Sequence, residues 1–251
     1  MKHEDKEIRT ISEFLIRLDT HKSPDDLVWF RGQTNTNWPV VPSIFRKGSN
    51  PIDRENSYYR KFKQNAGRYV EAKTSTDWDW FLLMQHYDTP TRLLDWTESP
   101  LVGLYFAVED DKENPENNSK DGVLYSLLPE ELNRKFNRIL VVKNDLPLID
   151  SDKFLDEYLF FGKSPENFPS KPVAAIAQRN SPRIFAQQGV FVIYSNSDEP
   201  LERIADDCMW RYIIPSANKD SLRRELDLLG INRVSLFPEL ANLGKHIKES
   251  I

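Results

Sequence analysis

The segment 84–100, MQHYDTPTRLLDWTESP, places the strongest constraint on the fold because it holds two element boundaries close together. Pro90 disfavours helical geometry in the residue before it, so the apolar helix that precedes it must end there. Pro100 suits the first turn of a new helix, and Thr97 or Ser99 can cap that helix. The short apolar run between the two helices, RLLDW, fits a strand. The segment therefore predicts helix, strand and helix in close succession.

The rest of the chain alternates between helical stripes and short apolar runs. Helical patterns cover 8–18, 53–72, 78–87, 100–108, 150–161, 217–229 and the C-terminal tail. Short apolar runs cover 27–33, 92–96, 123–129, 190–194 and 211–215, while 34–51 and 110–122 are rich in turn residues. This mixture predicts a single α+β domain with a mixed, mostly antiparallel sheet and flanking helices. We expect that domain to occupy 25–251, with an N-terminal helix within 1–24 packed on it.

The charge balance argues against a protein that holds nucleic acid through a basic face. The net charge is -5, and 34 basic and 39 acidic residues are interspersed, so nucleic acid is not a favoured partner. The longest apolar runs, such as 101–108, are far shorter than the ~20 residues that span a bilayer, and the charged N-terminus lacks a secretory pattern. With one cysteine and no histidine pair at ligand spacing, we expect no disulfide framework, no metal and a cytoplasmic location.

Arg31 ends a buried apolar run and is followed by Gly32. An arginine in that position needs a partner or an anion, because an unpaired buried charge is very costly. One interpretation is an ion pair with a buried carboxylate such as Asp95. The other is a guanidinium presented to a phosphate or pyrophosphate, with Gly32 giving the ligand close access to the backbone and Gln33 adding an amide contact.

The polar residues near the end of the helix before Pro90 can likewise be interpreted either as structural residues or as parts of a ligand site. Arg92 and Asp95 fit a structural ion-pair network, in which they pair with each other or Asp95 orients Arg31. Both also fit a ligand site. His86 fits a hydrogen-bonded packing residue more readily than a catalyst, because histidines beside apolar helices commonly pack.

Tyr87 and Trp96 fit core aromatics, but either ring could instead stack on a planar ligand. Glu98 lies in the first turn of the second helix, where a carboxylate complements the helix dipole. Thr97 and Ser99 are better explained as helix caps than as ligand contacts.

A third group of polar residues lies at the entrance to a late strand. Gln187 and Gln188 precede Gly189. Their amides suit hydrogen bonding at the strand edge, and they also suit a ribose hydroxyl or another polar substrate group. Cys208 stands beside Met209 and Trp210, and we interpret it as a buried small hydrophobe rather than a nucleophile.

Five stretches resemble the FRG-domain family, which is named after its Phe-Arg-Gly motif, here Phe30, Arg31 and Gly32. The stretches are WFRGQ (29–33), VPSIFRK (41–47), QHYDTPTRLLDWTESPLVGLYFAV (85–108), RIFAQQGVF (183–191) and GINRVSLFPEL (230–240). The resemblance covers roughly 25–247 and implies a bacterial or phage protein that acts inside the cell. It assigns no activity. Asp88 stands where the family usually carries a glycine, and aspartate tolerates left-handed geometry better than most residues.

The order of residue types is also similar to that of the arginine-type ADP-ribosyltransferases. The similarity lies in a strand arginine before glycine (Arg31), a Thr/Ser segment before a helix (Thr97 and Ser99) and a late polar residue (Gln187 or Gln188). It implies an ADP-ribosyltransferase-like fold and NAD as the substrate, in a toxin or phage-defence setting. Arg31 would hold the NAD pyrophosphate or ribose.

Those transferases carry a catalytic glutamate at the late position, where this chain reads AQQGVF. With Gln188 at the late catalytic position, either Glu98 substitutes as the catalytic acid or the chemistry differs from that of the transferases. The competing hypothesis is a non-catalytic module that binds a nucleotide-type ligand or a protein target. A nucleic-acid enzyme is a third and weaker hypothesis, because no paired-acid motif with metal-binding spacing is visible.

Overall fold

Ten α-helices and seven β-strands lie in the described part of the chain, which in this computed structural model comprises residues 5–19, 26–70, 76–112, 114–136, 146–159, 169 and 171–250. The helices are α1 (Ile11–Asp19), α2 (Pro51–Ala66), α3 (Asp77–His86), α4 (Pro100–Val108), α5 (Pro129–Phe136), α6 (Pro182–Ala186), α7 (Leu201–Ile204), α8 (Lys219–Leu228), α9 (Arg233–Leu236) and α10 (Leu240–Ser250). The strands are β1 (Lys6–Glu7), β2 (Trp29–Gln33), β3 (Leu93–Thr97), β4 (Gly122–Leu127), β5 (Val173–Ala175), β6 (Gly189–Ile193) and β7 (Met209–Ile214). Short 3-10 helices include Ser43–Phe45, Pro115–Ser119, Lys153–Tyr158 and Ser216–Asn218.

The seven strands form one mixed sheet in the order β1-β7-β4-β2-β3-β6-β5. Strands β1 and β7 are parallel, and the other five neighbouring pairs are antiparallel. The predicted α+β class with a mostly antiparallel sheet is therefore confirmed. The predicted boundary between 24 and 25 falls outside the described residues.

The sheet opens at its centre, between β2 and β3. These strands are in register at a single pair, Phe30 with Thr97. By contrast, β2 has five registered pairs with β4, and β3 has five with β6. Beyond Phe30, β2 and β3 therefore separate, and their unpaired backbone edges face a cleft rather than each other.

Side-chain alternation along the strands divides the core between the two faces of the sheet. Phe30 belongs to one buried cluster, where Phe14 of α1 contacts it edge to face with ring centroids 6.3 Å apart. Its neighbour Trp29 belongs to another cluster, with Trp96 of β3. A third cluster packs α2 and α3 against β5 and β6. The helix predicted near the N-terminus thus packs on the sheet through Phe14.

Gly32 lets α4 lie directly on the sheet. A Cβ atom at Gly32 would lie 2.1 Å from the Gly103 carbonyl oxygen and 2.3 Å from the Ala107 backbone nitrogen. Gly122 of β4 has a similar role, because its Cβ would lie 2.3 Å from the Ala107 carbonyl oxygen. Both close contacts are with backbone atoms of α4, which cannot move like a flexible side chain. The glycine of the Phe-Arg-Gly motif therefore has a packing function.

Replacing Gly32 with alanine is expected to lower the free energy of unfolding by about 1–3 kcal/mol, because the added methyl group must displace α4. Urea unfolding followed by tryptophan fluorescence measures this loss. Gly67→Ala is the matched control, because a Cβ there meets nothing within 4 Å and its φ of -55° suits alanine. Equal stabilities for the two variants would contradict the packing function.

The two boundaries predicted from the prolines are confirmed. Helix α3 ends at His86, and α4 begins at Pro100 with the Ser99 side chain accepting a hydrogen bond from the Val102 backbone nitrogen at 3.4 Å. Asp88 has a φ of 56°, the left-handed geometry that the usual glycine at this position would adopt readily.

Three segments differ from their predicted structure. Residues 153–158 form a 3-10 helix in place of an α-helix, with Leu155 and Tyr158 both buried at the spacing of three that this helix favours. Residues 182–186, which lie outside every predicted helix and strand, form α6, which Ser181 caps. Within the predicted loop 110–122, a 3-10 helix buries Asn117.

Candidate functional site

A cavity of about 440 Å³ occupies the opening between β2 and β3. We call it the inner cavity. Its walls come from β2, β3, α4, the end of α3, α6 and the 3-10 helix at 43–45. The charged residues that line it are Arg31, Arg46, Asp88, Asp95 and Arg183. Three cationic and two anionic side chains therefore meet in one small space, which favours an anionic ligand.

Arg31 bridges the opening between the two strands. Its Nη1 donates a hydrogen bond to the backbone carbonyl oxygen of Asp95 at 2.6 Å, which satisfies an acceptor that β2 no longer pairs. Its Nε is buried and has no hydrogen-bond partner among the described residues. Burial, and then the nearby Arg46, lowers the Arg31 pKa to about 10. The guanidinium is still cationic at neutral pH, with donor capacity to spare.

Asp95 directs its carboxylate into the inner cavity. Its Oδ2 accepts a hydrogen bond from Gln85 Nε2 at 2.6 Å, and Gln85 Oε1 accepts one from the Thr91 hydroxyl at 2.5 Å. Surrounding protein raises the Asp95 pKa by desolvation, and Arg31 opposes that shift. Arg31 contacts the backbone of Asp95 and not its carboxylate. Among the described residues, no ion pair within 4.0 Å joins the two side chains. The carboxylate is thus oriented but still available to a ligand.

A second and larger cavity adjoins the first at Arg31. It has a volume of about 890 Å³, and we call it the outer cavity. The two cavities share Arg31, Gly32, Arg46 and Phe106 as lining residues. Gln33 and Trp38 line the outer cavity but not the inner one. The cleft therefore has two chambers with two arginines at their junction.

Arg92 lies outside both cavities, in the core. It is fully buried, and its Nε donates to Glu55 Oε2 at 2.7 Å while its Nη2 forms an ion pair with the same oxygen. Its Nη1 donates to the Tyr158 carbonyl oxygen. Of the two interpretations of Arg92, the structural network describes its surroundings, although the partner is Glu55 and not Asp95.

The two ring side chains at the end of α3 differ in their surroundings. His86 lines the inner cavity, and its Nδ1 is buried without a hydrogen-bond partner in the described structure. Desolvation, and then the charge of Arg183, lowers the His86 pKa. Tyr87 is 63% exposed and contacts the edge of His86, outside the cavity lining. Trp96 is 3% exposed and lines the inner cavity from β3.

The Thr/Ser segment connects β3 to the entrance of β6. The Thr97 hydroxyl donates to the Gln187 carbonyl oxygen at 2.6 Å and accepts from the Ser99 backbone nitrogen at 3.0 Å. Thr97 and Gln187 both line the inner cavity, and Gln187 Nε2 donates to the Leu236 carbonyl oxygen at 3.1 Å. Ser99 caps α4 and lies outside the lining.

The two residues predicted as catalytic lie apart from Arg31. Glu98 forms an ion pair with Arg179, and neither cavity includes it in its lining. The Gln188 carbonyl oxygen accepts a hydrogen bond from the Glu98 backbone nitrogen at 3.2 Å. Gln188 has a φ of 47° and is also outside both linings. The structure does not bring Arg31, Glu98 and Gln188 into one cleft.

Three residues of the inner cavity were missed at the sequence level, namely Arg46, Gln85 and Arg183. Arg46 donates from Nε to the Val41 carbonyl oxygen at 3.2 Å, and Arg183 donates to the His86 carbonyl oxygen at 3.0 Å. Each lies in a stretch that resembles the FRG family. For all three residues, the available signal was therefore a polar side chain within such a stretch.

The described residues contain no group of three or more histidine, cysteine, aspartate or glutamate side chains placed to hold a metal ion. Cys208 is buried, and desolvation raises the pKa of its thiol to about 12, which keeps it protonated and inert. In the same part of the chain, every helix is too short or too polar to cross a bilayer.

Comparison with known families identifies the region that forms this cleft. Residues 26–116 match the family model of the FRG domain. The chain contains an FRG domain. The match includes β2, α2, α3, β3 and α4, so the FRG domain supplies Arg31, Arg46 and Asp95. Arg183 and Gln187 complete the inner cavity from outside the matched residues. No curated protein and no solved structure matches the chain.

Proposed function

We propose that this FRG-domain protein binds a dinucleotide across both cavities and acts as an NAD-dependent, ADP-ribosyltransferase-like enzyme. The observation that carries the proposal is the position of Arg31 and Arg46, which line both chambers where these meet. A dinucleotide has the same layout, with an anionic diphosphate between two nucleosides. Guanidinium groups match phosphate oxygens in geometry and charge.

The electrostatics of the junction support an anion at this point. Desolvation, and then the positive charge of Arg46, lowers the Arg31 pKa, while desolvation lowers the Arg46 pKa against the opposing effect of Asp95. A bound diphosphate would relieve the repulsion between the two arginines and would accept hydrogen bonds from donors that are otherwise unused, such as Arg31 Nε. The inner cavity, at about 440 Å³, has room for one nucleoside.

Asp95 is the carboxylate best placed for the chemistry. In the proposed reaction the bond between nicotinamide and the ribose anomeric carbon breaks, and nicotinamide leaves with the bonding electron pair. The positive charge that develops on the ribosyl group would be stabilised by the ionised Asp95 carboxylate, which Gln85 orients. Water or a target side chain then bonds to the anomeric carbon and loses its proton. The proposed catalytic carboxylate is thus Asp95 in place of Glu98.

Replacing Arg31 with lysine is expected to weaken NAD binding about 10- to 100-fold, because lysine keeps the charge but loses the planar fork of donors. Calorimetry with NAD measures the affinity, and chromatography measures nicotinamide release. Arg60→Lys, on the exposed face of α2, is the matched control. NAD binding that is absent in the wild type, or unaffected by Arg31→Lys, would contradict the proposal.

A non-catalytic nucleotide-binding module is the second candidate. The observation that favours it is the ion pair between Glu98 and Arg179, which holds the acid predicted from the sequence outside the cleft. This candidate predicts NAD binding that depends on Arg31 without nicotinamide release. A toxin or phage-defence setting is also proposed, and it is supported by the similarity of residue order to the ADP-ribosyltransferases.

A further inference from the structure

We infer that the outer cavity is the adenosine subsite of the proposed dinucleotide site, with Trp38 as its stacking platform and Gln33 as its base-selective residue. This inference rests on the proposed function. Asp95 lines only the inner cavity, so the reacting nicotinamide half belongs there. With the diphosphate at Arg31 and Arg46, the remaining nucleoside must enter the outer cavity.

Trp38 provides the apolar surface that a nucleobase needs. It lies in the loop after β2, lines the outer cavity and is 40% exposed. No aromatic ring of the described residues contacts its indole, so a nucleobase would be its stacking partner. Stacking of a base on an aromatic side chain tolerates any base. Trp38 thus accounts for binding of a base but not for the choice of base.

Gln33 provides the selectivity. It is 6% exposed on the wall of the outer cavity, and its Oε1 has no donor among the described residues. Its Nε2 has one long contact, 3.5 Å to the Pro39 carbonyl oxygen. An acceptor without a donor in a buried wall favours a ligand that brings an N–H group. The 6-amino group of adenine is such a donor, whereas hypoxanthine carries an acceptor oxygen at the same position.

Calorimetry on the purified chain tests this assignment with NAD, AMP, nicotinamide mononucleotide and nicotinamide hypoxanthine dinucleotide. Trp38→Ala is expected to weaken NAD and AMP binding about 5- to 150-fold and to leave nicotinamide mononucleotide binding unchanged. The wild type is expected to bind NAD more tightly than the hypoxanthine analogue, and Gln33→Leu is expected to remove that preference. Tyr69→Ala is the matched control, since Tyr69 is 72% exposed and outside both cavities.

The outcomes separate this inference from the proposed function. NAD affinity that depends on Arg31 but is equal in the wild type and Trp38→Ala would overturn the adenosine subsite and leave the proposed function standing. Equal wild-type affinities for NAD and its hypoxanthine analogue would overturn the role of Gln33 in base selection. Failure of the wild type to bind NAD would overturn both. Because Trp38 is 40% exposed and outside the buried clusters, its replacement is expected to change the stability of the fold little.

Discussion

Replacing Glu55 with alanine is expected to lower the free energy of unfolding by about 3–5 kcal/mol, because it removes the carboxylate that neutralises a fully buried guanidinium. Arg92 is 0% exposed, and Glu55 is 1% exposed. Glu55 accepts hydrogen bonds from the Arg92 Nε and from the Arg92 backbone nitrogen, each at 2.7 Å. The truncation therefore affects a charge and a backbone donor together, at the point where α2 packs beside the start of β3.

Urea unfolding followed by tryptophan fluorescence measures this loss. The double variant Glu55→Leu with Arg92→Met is expected to lose less than Glu55→Ala alone, because it removes both charges and fills the volume. The matched control is Glu131→Ala, which breaks an exposed pair with Arg134 and should cost no more than about 1 kcal/mol. A Glu55→Ala loss as small as that of the control would show that the buried pair contributes nothing to stability.

The elements around the central segment could be predicted because their signals are local. Pro90 and Pro100 act on residues next to them, and Ser99 caps α4 from one position before its first residue. Asp88 stands where the FRG family usually carries a glycine, and its backbone has the left-handed geometry that a glycine adopts readily. Such features depend on a few neighbouring residues, so periodicity and capping rules describe them well.

The partners of the charged residues could not be predicted because they depend on chain topology. Glu55 pairs with Arg92 across 37 positions, and Arg31 contacts the Asp95 backbone across 64. The opening between β2 and β3 leaves the Asp95 carbonyl oxygen without a ladder partner, and no local pattern marks that opening. Arginines and carboxylates were therefore recognised as important while their pairing was not.

Gly32 illustrates how one residue type can suit two functions in a sequence. From the sequence alone, a glycine after a buried arginine indicates that a ligand can approach the backbone closely. In the fold, α4 fills the space where a Cβ would lie, with the Gly103 carbonyl oxygen at 2.1 Å. Deciding between ligand and helix required the position of an element that begins 68 residues later in the chain.

Replacing Asp95 with asparagine is expected to slow nicotinamide release from NAD about 100- to 1000-fold, because the amide keeps the shape but cannot stabilise a developing positive charge. NAD affinity should stay close to that of the wild type, since the proposed binding groups are Arg31 and Arg46. The loss would therefore appear in kcat and not in KM. Single-turnover chromatography of nicotinamide, with calorimetry for the affinity, measures both quantities.

The pH profile gives this prediction a second, independent readout. Desolvation raises the Asp95 pKa above that of an ordinary aspartate, and the ionised form is the one that stabilises the ribosyl cation. Release by the wild type should therefore fall as the pH drops through that raised value, and Asp95→Asn should lack this acid limb. Glu98→Gln separates the two carboxylates, because Glu98 is held by Arg179 outside the cleft. Loss of release in Glu98→Gln but not in Asp95→Asn would return the catalytic function to Glu98 and would require the Arg179 ion pair to open during the reaction.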